Sequence, residues 1–193
     1  IAVTGVQTCA LPIYVNRDAM GGHLEVSGGE ALMRPDLPEI LAAIPHHWAI
    51  TSNTLMSTAI QRLVENGAIA RCIAWTASWH PCSGMEASFS RSIHMLASVH
   101  RPARATVVVA DSTIGRLGET LEFLNTLPLA GVNFHLDTHG PADVAHLKAA
   151  ADEILGPGAA YLAGPPPQGK LCNRHDNLMA VGADGSLYQC VTF

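Results

Sequence analysis

Apolar and polar residues along this chain follow two interleaved rhythms, one of period two and one close to 3.6. Leu24 and Val26 alternate with His23, Glu25 and Ser27, which predicts a short strand over His23 to Ser27. Leu37, Ile40, Leu41 and Ile44 share one helical face, so a helix is predicted over Leu37 to Ile44, broken by Pro45. A second strand is predicted over Trp48 to Asn53. A second helix follows over Ser57 to Asn66, with Ile60, Leu63 and Val64 inward and Gly67 as its stop. The remaining strands are predicted over Ile69 to Ser78, Ala105 to Ala110 and Val132 to Asp137. The remaining helices span Glu86 to Val99, Gly115 to Leu127 (ended by Pro128) and Pro141 to Leu155. Tyr14 to Gly22 is polar and glycine-bearing and reads as a helix end and a loop.

Strands alternating with amphipathic helices five times over indicate an α/β fold built from right-handed βα units on a parallel sheet. The strand faces narrow this further. Thr51 and Asn53 oppose Ile50; Thr76, Ser78 and His80 oppose Ile73, Trp75 and Trp79; Asn133, His135, Asp137 and His139 oppose Val132, Phe134 and Leu136. A doubly wound sheet, covered by helices on both faces, should be apolar on both. One apolar face and one polar face suit the wall of a barrel with a solvated interior. The expected fold is therefore a partial, incomplete TIM-like barrel. Thr106-Val107-Val108-Val109-Ala110 fits this pattern less well.

Composition sets the outer limits. The chain has 193 residues, a net charge of -5, 48% hydrophobic and 14% charged residues, as expected for one globular domain with a real core. No basic patch argues for nucleic acid, and no apolar run reaches the roughly 18 residues that span a bilayer. Five irregularly spaced cysteines do not form a secreted disulfide framework, so a reducing cytoplasm is expected and no membrane partner.

Val3-Thr4-Gly5-Val6-Gln7-Thr8-Cys9-Ala10-Leu11-Pro12-Ile13 resembles the translation of a common short-read sequencing adapter, codon for codon. Residues 1–13 are therefore read as a non-native leader and set aside from fold reasoning. Native sequence is expected to start near Tyr14, with residues 14–156 forming the barrel and 157–193 a linker and extension. On that division the first barrel strand is missing, and His23 to Ser27 becomes an unpaired parallel edge prone to aggregation.

Chemistry concentrates at strand ends. Val26-Ser27-Gly28-Gly29-Glu30-Ala31-Leu32 runs a strand into two glycines and a carboxylate, and Arg34-Pro35-Asp36-Leu37 opens a helix. Glycines permit a sharp turn and close ligand approach. A glutamate there can accept hydrogen bonds from an ammonium or hydroxyl group. An ordinary strand-to-helix turn with a capping carboxylate has the same composition. Leu24 to Leu37 resembles the second strand and following turn of radical S-adenosylmethionine (radical SAM) enzymes, with their Gly-Gly-Glu motif. Ile50-Thr51-Ser52-Asn53 resembles that family's next strand, and Ser78-Trp79-His80-Pro81 its fourth strand end. The resemblance covers Leu24 to Asp137 and implies a partial (β/α)6 barrel. It also implies a [4Fe-4S] cluster that cleaves S-adenosylmethionine to a 5′-deoxyadenosyl radical, which abstracts hydrogen from a peptide or small-molecule substrate. It implies a reductant protein as a partner. Gly28, Gly29 and Glu30 would hold the methionine ammonium group, and Asn53 with Ser78 or His80 would line the ribose or carboxylate. The family's Cys-x3-Cys-x2-Cys loop does not occur in this sequence; it is expected upstream of Tyr14, and the chain as it stands is expected to be inactive.

The tail carries a second constellation. Leu178 to Val181 and Ser186 to Tyr188 are predicted strands around the Ala183-Asp184-Gly185 turn, a β-hairpin signal. Cys172 and Cys190 flank it. This resembles the start of the auxiliary-cluster (SPASM-like) extension of radical enzymes that modify peptides, and implies those two cysteines as ligands of an auxiliary iron-sulfur cluster. A zinc site using Cys172, His175 and Cys190 lacks a fourth ligand. Cys72 and Cys82 fit no metal spacing, and Cys72 is expected in the core.

Two other readings compete. His80, His135, Asp137 and His139 converging at strand ends would make a divalent-metal hydrolase or isomerase. The tail hairpin alone would make a non-catalytic interaction module.

Overall fold

The computed structural model of the chain describes residues 13–16, 23–27, 30–81, 84–137, 143–162, 178–181 and 187–188. They belong to two compact units. The first takes in the described residues within 1–52, 58–74 and 172–193, and the second those within 53–57 and 75–171.

The first unit begins with β1 (Ile13–Asn16), antiparallel to β2 (His23–Val26), with Ile13 opposite Val26 and Val15 opposite Leu24. The expected loop at Tyr14 is thus a strand, and the expected bare edge at His23 is paired. The reason is local: Ile13, Tyr14 and Val15 are all strand formers, and setting the boundary at Ile13 cut that signal in two. Helix α1 (Leu37–Ala43) leads to β3 (His47–Ser52), parallel to β2 with Leu24 beside Trp48 and Val26 beside Ile50. Those four side chains are buried, as are Leu37 and Leu41 of α1 and Ile60 and Leu63 of α2 (Ser57–Glu65). The polar edges of this core are tied down. The Trp48 indole N–H donates to the Ala68 carbonyl at 3.3 Å, and Arg71 Nη2 donates to the carbonyls of Leu41 and Ala42 at 2.9 Å each, closing the C-terminus of α1.

The strand expected from Ile69 starts later. Gly67, with φ +76, turns the chain into a 3-10 turn over Ala68–Arg71, and β4 (Cys72–Trp79) follows. Ile73, expected on the apolar face, is 53% exposed, and the buried set is Trp75, Ala77 and Trp79.

The second unit holds β4 from Trp75 onward, α3 (Glu86–Ser98), β5 (Arg104–Val109), α4 (Asp111–Ile114), α5 (Leu117–Asn125), β6 (Gly131–Leu136), α6 (Val144–Leu155) and β7 (Ala160–Leu162). Strands β4, β5, β6 and β7 pair in parallel, each with the next in sequence. Strand β7 is absent from the sequence reading, which took residues 157–193 as linker and extension. Only three residues between glycine- and proline-rich segments form it, too few for a period-two pattern. The helix expected over Gly115 to Leu127 is α5, and a short helix not expected from the sequence, α4, precedes it. Helix α4 begins directly after β5, where Thr113 Oγ1 accepts from the Ala110 N–H at 2.9 Å and donates to the Val108 carbonyl at 3.0 Å.

Sequential neighbours without a reversal of order distinguish this sheet from a doubly wound one, whose order reverses at a switch point. The packing agrees. Trp79 meets Phe89 of α3 at 4.8 Å and Phe123 of α5 at 5.0 Å between ring centroids, so both helices cover one face of the strands. Ala105, Val107 and Val109 of β5 are buried and alternate with Thr106 and with Val108, which is 45% exposed; β5 is therefore as one-sided as its neighbours. The architecture is α/β, parallel and helix-covered on one face, compatible with a partial α/β barrel.

After these, β8 (Leu178–Val181) returns to the first unit, antiparallel to β1, and β9 (Leu187–Tyr188) pairs antiparallel with β8. The Ala183-Asp184-Gly185 turn expected between them lies outside the described residues.

One buried group yields a direct test of this packing. The Ser92 hydroxyl, on α3, is fully buried and has no hydrogen-bond partner among the described residues. Ser92→Ala removes an unsatisfied polar atom and raises helix propensity, so it is expected to stabilise the protein by about 1 kcal/mol. A rise in the urea midpoint of unfolding checks it.

Candidate functional site

In the first unit the candidate site lies at the C-terminal ends of β2 and β3. Glu30 stands four residues past β2, half-buried, as the N-cap of a 3-10 turn over Ala31–Met33. Its Oε1 accepts from the Leu32 N–H at 3.1 Å and from the Ser52 hydroxyl at 2.6 Å. The second bond is short, as charge-assisted hydroxyl-carboxylate bonds are. Ser52 is buried and ends β3 on the parity of Trp48 and Ile50. A carboxylate held this way keeps one orientation, which suits it to receive a cationic group. Gly28 and Gly29 lie outside the described residues.

Beyond the turn, the Arg-Pro-Asp sequence closes on itself. Arg34 Nε and Nη2 donate to Asp36 Oδ1 and Oδ2 at 2.7 and 3.0 Å, in bidentate geometry at the mouth of α1. The hydrogen bond from Arg34 holds the Asp36 carboxyl below its usual range, and Asp36 raises Arg34 in return. A lowered folded-state value means that Asp36 contributes stability above the ordinary aspartate range and loses it as the pH falls through the lowered value. Both groups are exposed, so the contribution is small and salt-sensitive. Asp36→Asn is therefore expected to melt slightly below the parent at neutral pH and level with it in acid. Paired thermal melts across that range check the sign.

In the second unit, the segment after β3 carries Asn53 and Thr54. Asn53 Oδ1 accepts from the Leu55 N–H at 3.0 Å, an Asx turn. Thr54 is fully buried with φ +61, a left-handed conformation that β-branched residues rarely adopt and that costs on the order of 1–3 kcal/mol. Its Oγ1 accepts from the indole N–H of Trp75, on β4, at 3.0 Å.

The sheet face away from α3 and α5 presents rows of polar side chains. Register places Ser78 beside Thr106 and Thr106 beside Asn133, with Thr76, Arg104 and Gly131 forming the row below. None of Thr76, Ser78, Arg104, Thr106 and Asn133 makes a side-chain hydrogen bond or ion pair among the described residues, and the four uncharged ones are half-buried. His135 follows on the same face of β6, half-buried, and Asp137 just beyond it donates its N–H to the Val109 carbonyl at 2.8 Å. His80, just past β4, is exposed. Arg116 Nη1 donates to the Pro81 carbonyl and Arg116 Nε to Glu119, which ties the end of β4 to the start of α5.

The structure thus joins Glu30 to Ser52, a residue that sequence reasoning did not select. The available signal was a serine at the strand end on the parity of buried Trp48 and Ile50. Thr54 and Trp75 were also missed; an indole paired with a threonine distant in sequence leaves no periodic trace. Asn53 and Ser78 are placed at strand ends, each within its own element.

For metals the described residues offer little. No three His, Cys, Asp or Glu side chains among them gather as ligands, so His80, His135 and Asp137 do not form a metal group there. His139, Cys82, Cys172, His175 and Cys190 lie outside the described residues. Cys72 is buried as expected, its thiol directed to the Ala74 carbonyl at 3.4 Å. No helix among the described residues is long and apolar enough to cross a membrane. No protein-family model matches the chain, and no curated protein is significantly similar to it.

Proposed function

We propose that this chain carries the cofactor-binding part of a radical SAM enzyme, built on a partial (β/α)6 barrel with a hairpin tail. One observation supports this most: a carboxylate, Glu30, fixed at the C-terminal end of one parallel strand by a serine at the end of the next. Strand ends are where barrel ligands bind. An oriented Glu30 carboxylate suits the α-ammonium of S-adenosylmethionine, and the resemblance assigns Gly28 and Gly29 to the same group. The resemblance further assigns Asn53, and Ser78 or His80, to the ribose or carboxylate side of the cofactor.

A [4Fe-4S] cluster, when bound, supplies the electron for cleavage of the cofactor to a 5′-deoxyadenosyl radical. The described residues hold no thiolate set for it. The residues of this chain bind and orient the cofactor. The substrate is a peptide or small molecule, the electron donor a reductant protein, and the compartment a reducing cytoplasm. Cys172 and Cys190 would serve an auxiliary cluster.

Thermal unfolding with added nucleosides tests the reading. S-adenosylmethionine and S-adenosylhomocysteine, which share the amino acid and nucleoside, should both raise the melting temperature, since a ligand at 100 times its Kd adds about 2.7 kcal/mol. Adenosine alone should shift it much less. Equal shifts from adenosine, or none from either thioether or sulfonium ligand, would remove the basis for the reading.

A further inference from the structure

We infer that the polar sheet face of the second unit binds a small hydroxylated carboxylate or phosphate, with Arg104 as the cationic anchor for its oxyanion. The site lies within that unit and does not rest on the cofactor assignment. Ala103 and Ala105 are fully buried, so Arg104 between them stands on the opposite face of β5. Register sets it between Thr76 of β4 and Gly131 of β6. A Cβ at position 131 would lie 2.9 Å from Arg104 Nη1, 3.5 Å from Cζ and 3.9 Å from Nη2. The guanidinium therefore lies over the start of β6, in the space that a side chain at 131 would take.

No protein partner accounts for that placement. A guanidinium carries five N–H donors, and that of Arg104 makes no hydrogen bond or ion pair with any described residue. The side chains of Thr76, Thr106 and Asn133 around it are half-buried and equally uncommitted among the described residues. Thr106 and Asn133 are paired in register one row along the strands from Arg104 and Gly131. Strand spacing makes this block about 10 Å wide across the three strands, with about 7 Å between its rows. A guanidinium takes a carboxylate or phosphate in bidentate geometry. Hydroxyls and an amide on the next row suit the hydroxyl groups of a short carbon chain. No carboxylate stands in either row to repel the anion.

The test uses the full chain in chloride buffer at constant ionic strength, with the backbone amide shifts of residues 104–106 and 131–133 as the readout. Inorganic phosphate and acetate distinguish the two oxyanions; glycerol 3-phosphate and glycerate add hydroxyl groups to each. At least one bare ion should give saturable shifts in these segments, and its hydroxylated counterpart should bind several-fold tighter. Arg104→Gln should weaken binding by about tenfold or more, with the melting temperature unchanged because the side chain is exposed. Gly131→Ala should also weaken it. The nearest atoms its Cβ meets are the end of the Arg104 side chain, which can swing away without disturbing the sheet. Thr106→Val should abolish the preference for the hydroxylated probe and leave the affinity for the bare ion as it was. Absence of saturable shifts with all four probes, binding that persists in Arg104→Gln, or a hydroxyl preference that survives Thr106→Val would each overturn the inference.

Discussion

Glu30→Gln is expected to weaken S-adenosylmethionine binding by at least about tenfold while leaving the melting temperature nearly unchanged. The two halves of that expectation come from different atoms. Glutamine retains a carbonyl oxygen that can accept from the Leu32 N–H and the Ser52 hydroxyl, so the turn and the strand-end contact survive. What it loses is the negative charge. A hydrogen bond to a charged partner is worth about 1.5–3 kcal/mol, which corresponds to roughly tenfold or more in affinity. Glu30→Ala differs: it also removes the cap and leaves the buried Ser52 hydroxyl without this acceptor, at a cost of about 1–2 kcal/mol. Equilibrium dialysis and thermal melts on the two variants separate the roles. If Glu30→Gln binds as tightly as the parent, Glu30 is only a turn cap.

Trp79→Ala should be the most destabilising change in the second unit, by about 3–5 kcal/mol. The indole is buried between Phe89 and Phe123, and these three rings join β4 to α3 and α5. Truncation opens a cavity that rings on two separate helices cannot refill without moving the helices. A loss of that size is a large share of a typical domain's stability of 5–15 kcal/mol. Trp79→Phe should cost much less. The Trp79 Nε1–H is buried with no partner among the described residues, so removing it offsets part of the lost contact area. Urea midpoints that rank alanine far below phenylalanine would bear this out; equal midpoints would mean that the aromatic cluster does not hold the helices to the sheet.

Much of this architecture can be read from residue patterns. The helices at Leu37, Ser57, Glu86 and Val144 have apolar faces three and four residues apart, and caps or breakers close to their observed ends. The one-sided strands are legible for the same reason, since Trp75, Ala77 and Trp79 alternate with Thr76 and Ser78. Where pattern fails, the element is short or the rhythm is interrupted. Strand β7 has three residues, β1 straddles an assumed boundary, and a 3-10 turn takes the place of the first residues expected in β4.

The candidate site divides along the same line. Glu30 is visible because a carboxylate after two glycines stands out. Ser52, Thr54 and Trp75 are not, because their roles depend on contacts 21 or 22 residues away in sequence. Side-chain chemistry at a single position is readable from sequence; the partner that orients it is a tertiary fact.

On the proposed function, a carboxylate fixed just past the end of β2 receives the ammonium group of S-adenosylmethionine. Calorimetric titration of the parent chain with S-adenosylmethionine, and with an analogue lacking only the α-amino group, tests it most directly. Saturable one-to-one binding of the first, with the second weaker by about tenfold or more, is the expected result. Absence of saturable binding, or equal affinity for both, would contradict it.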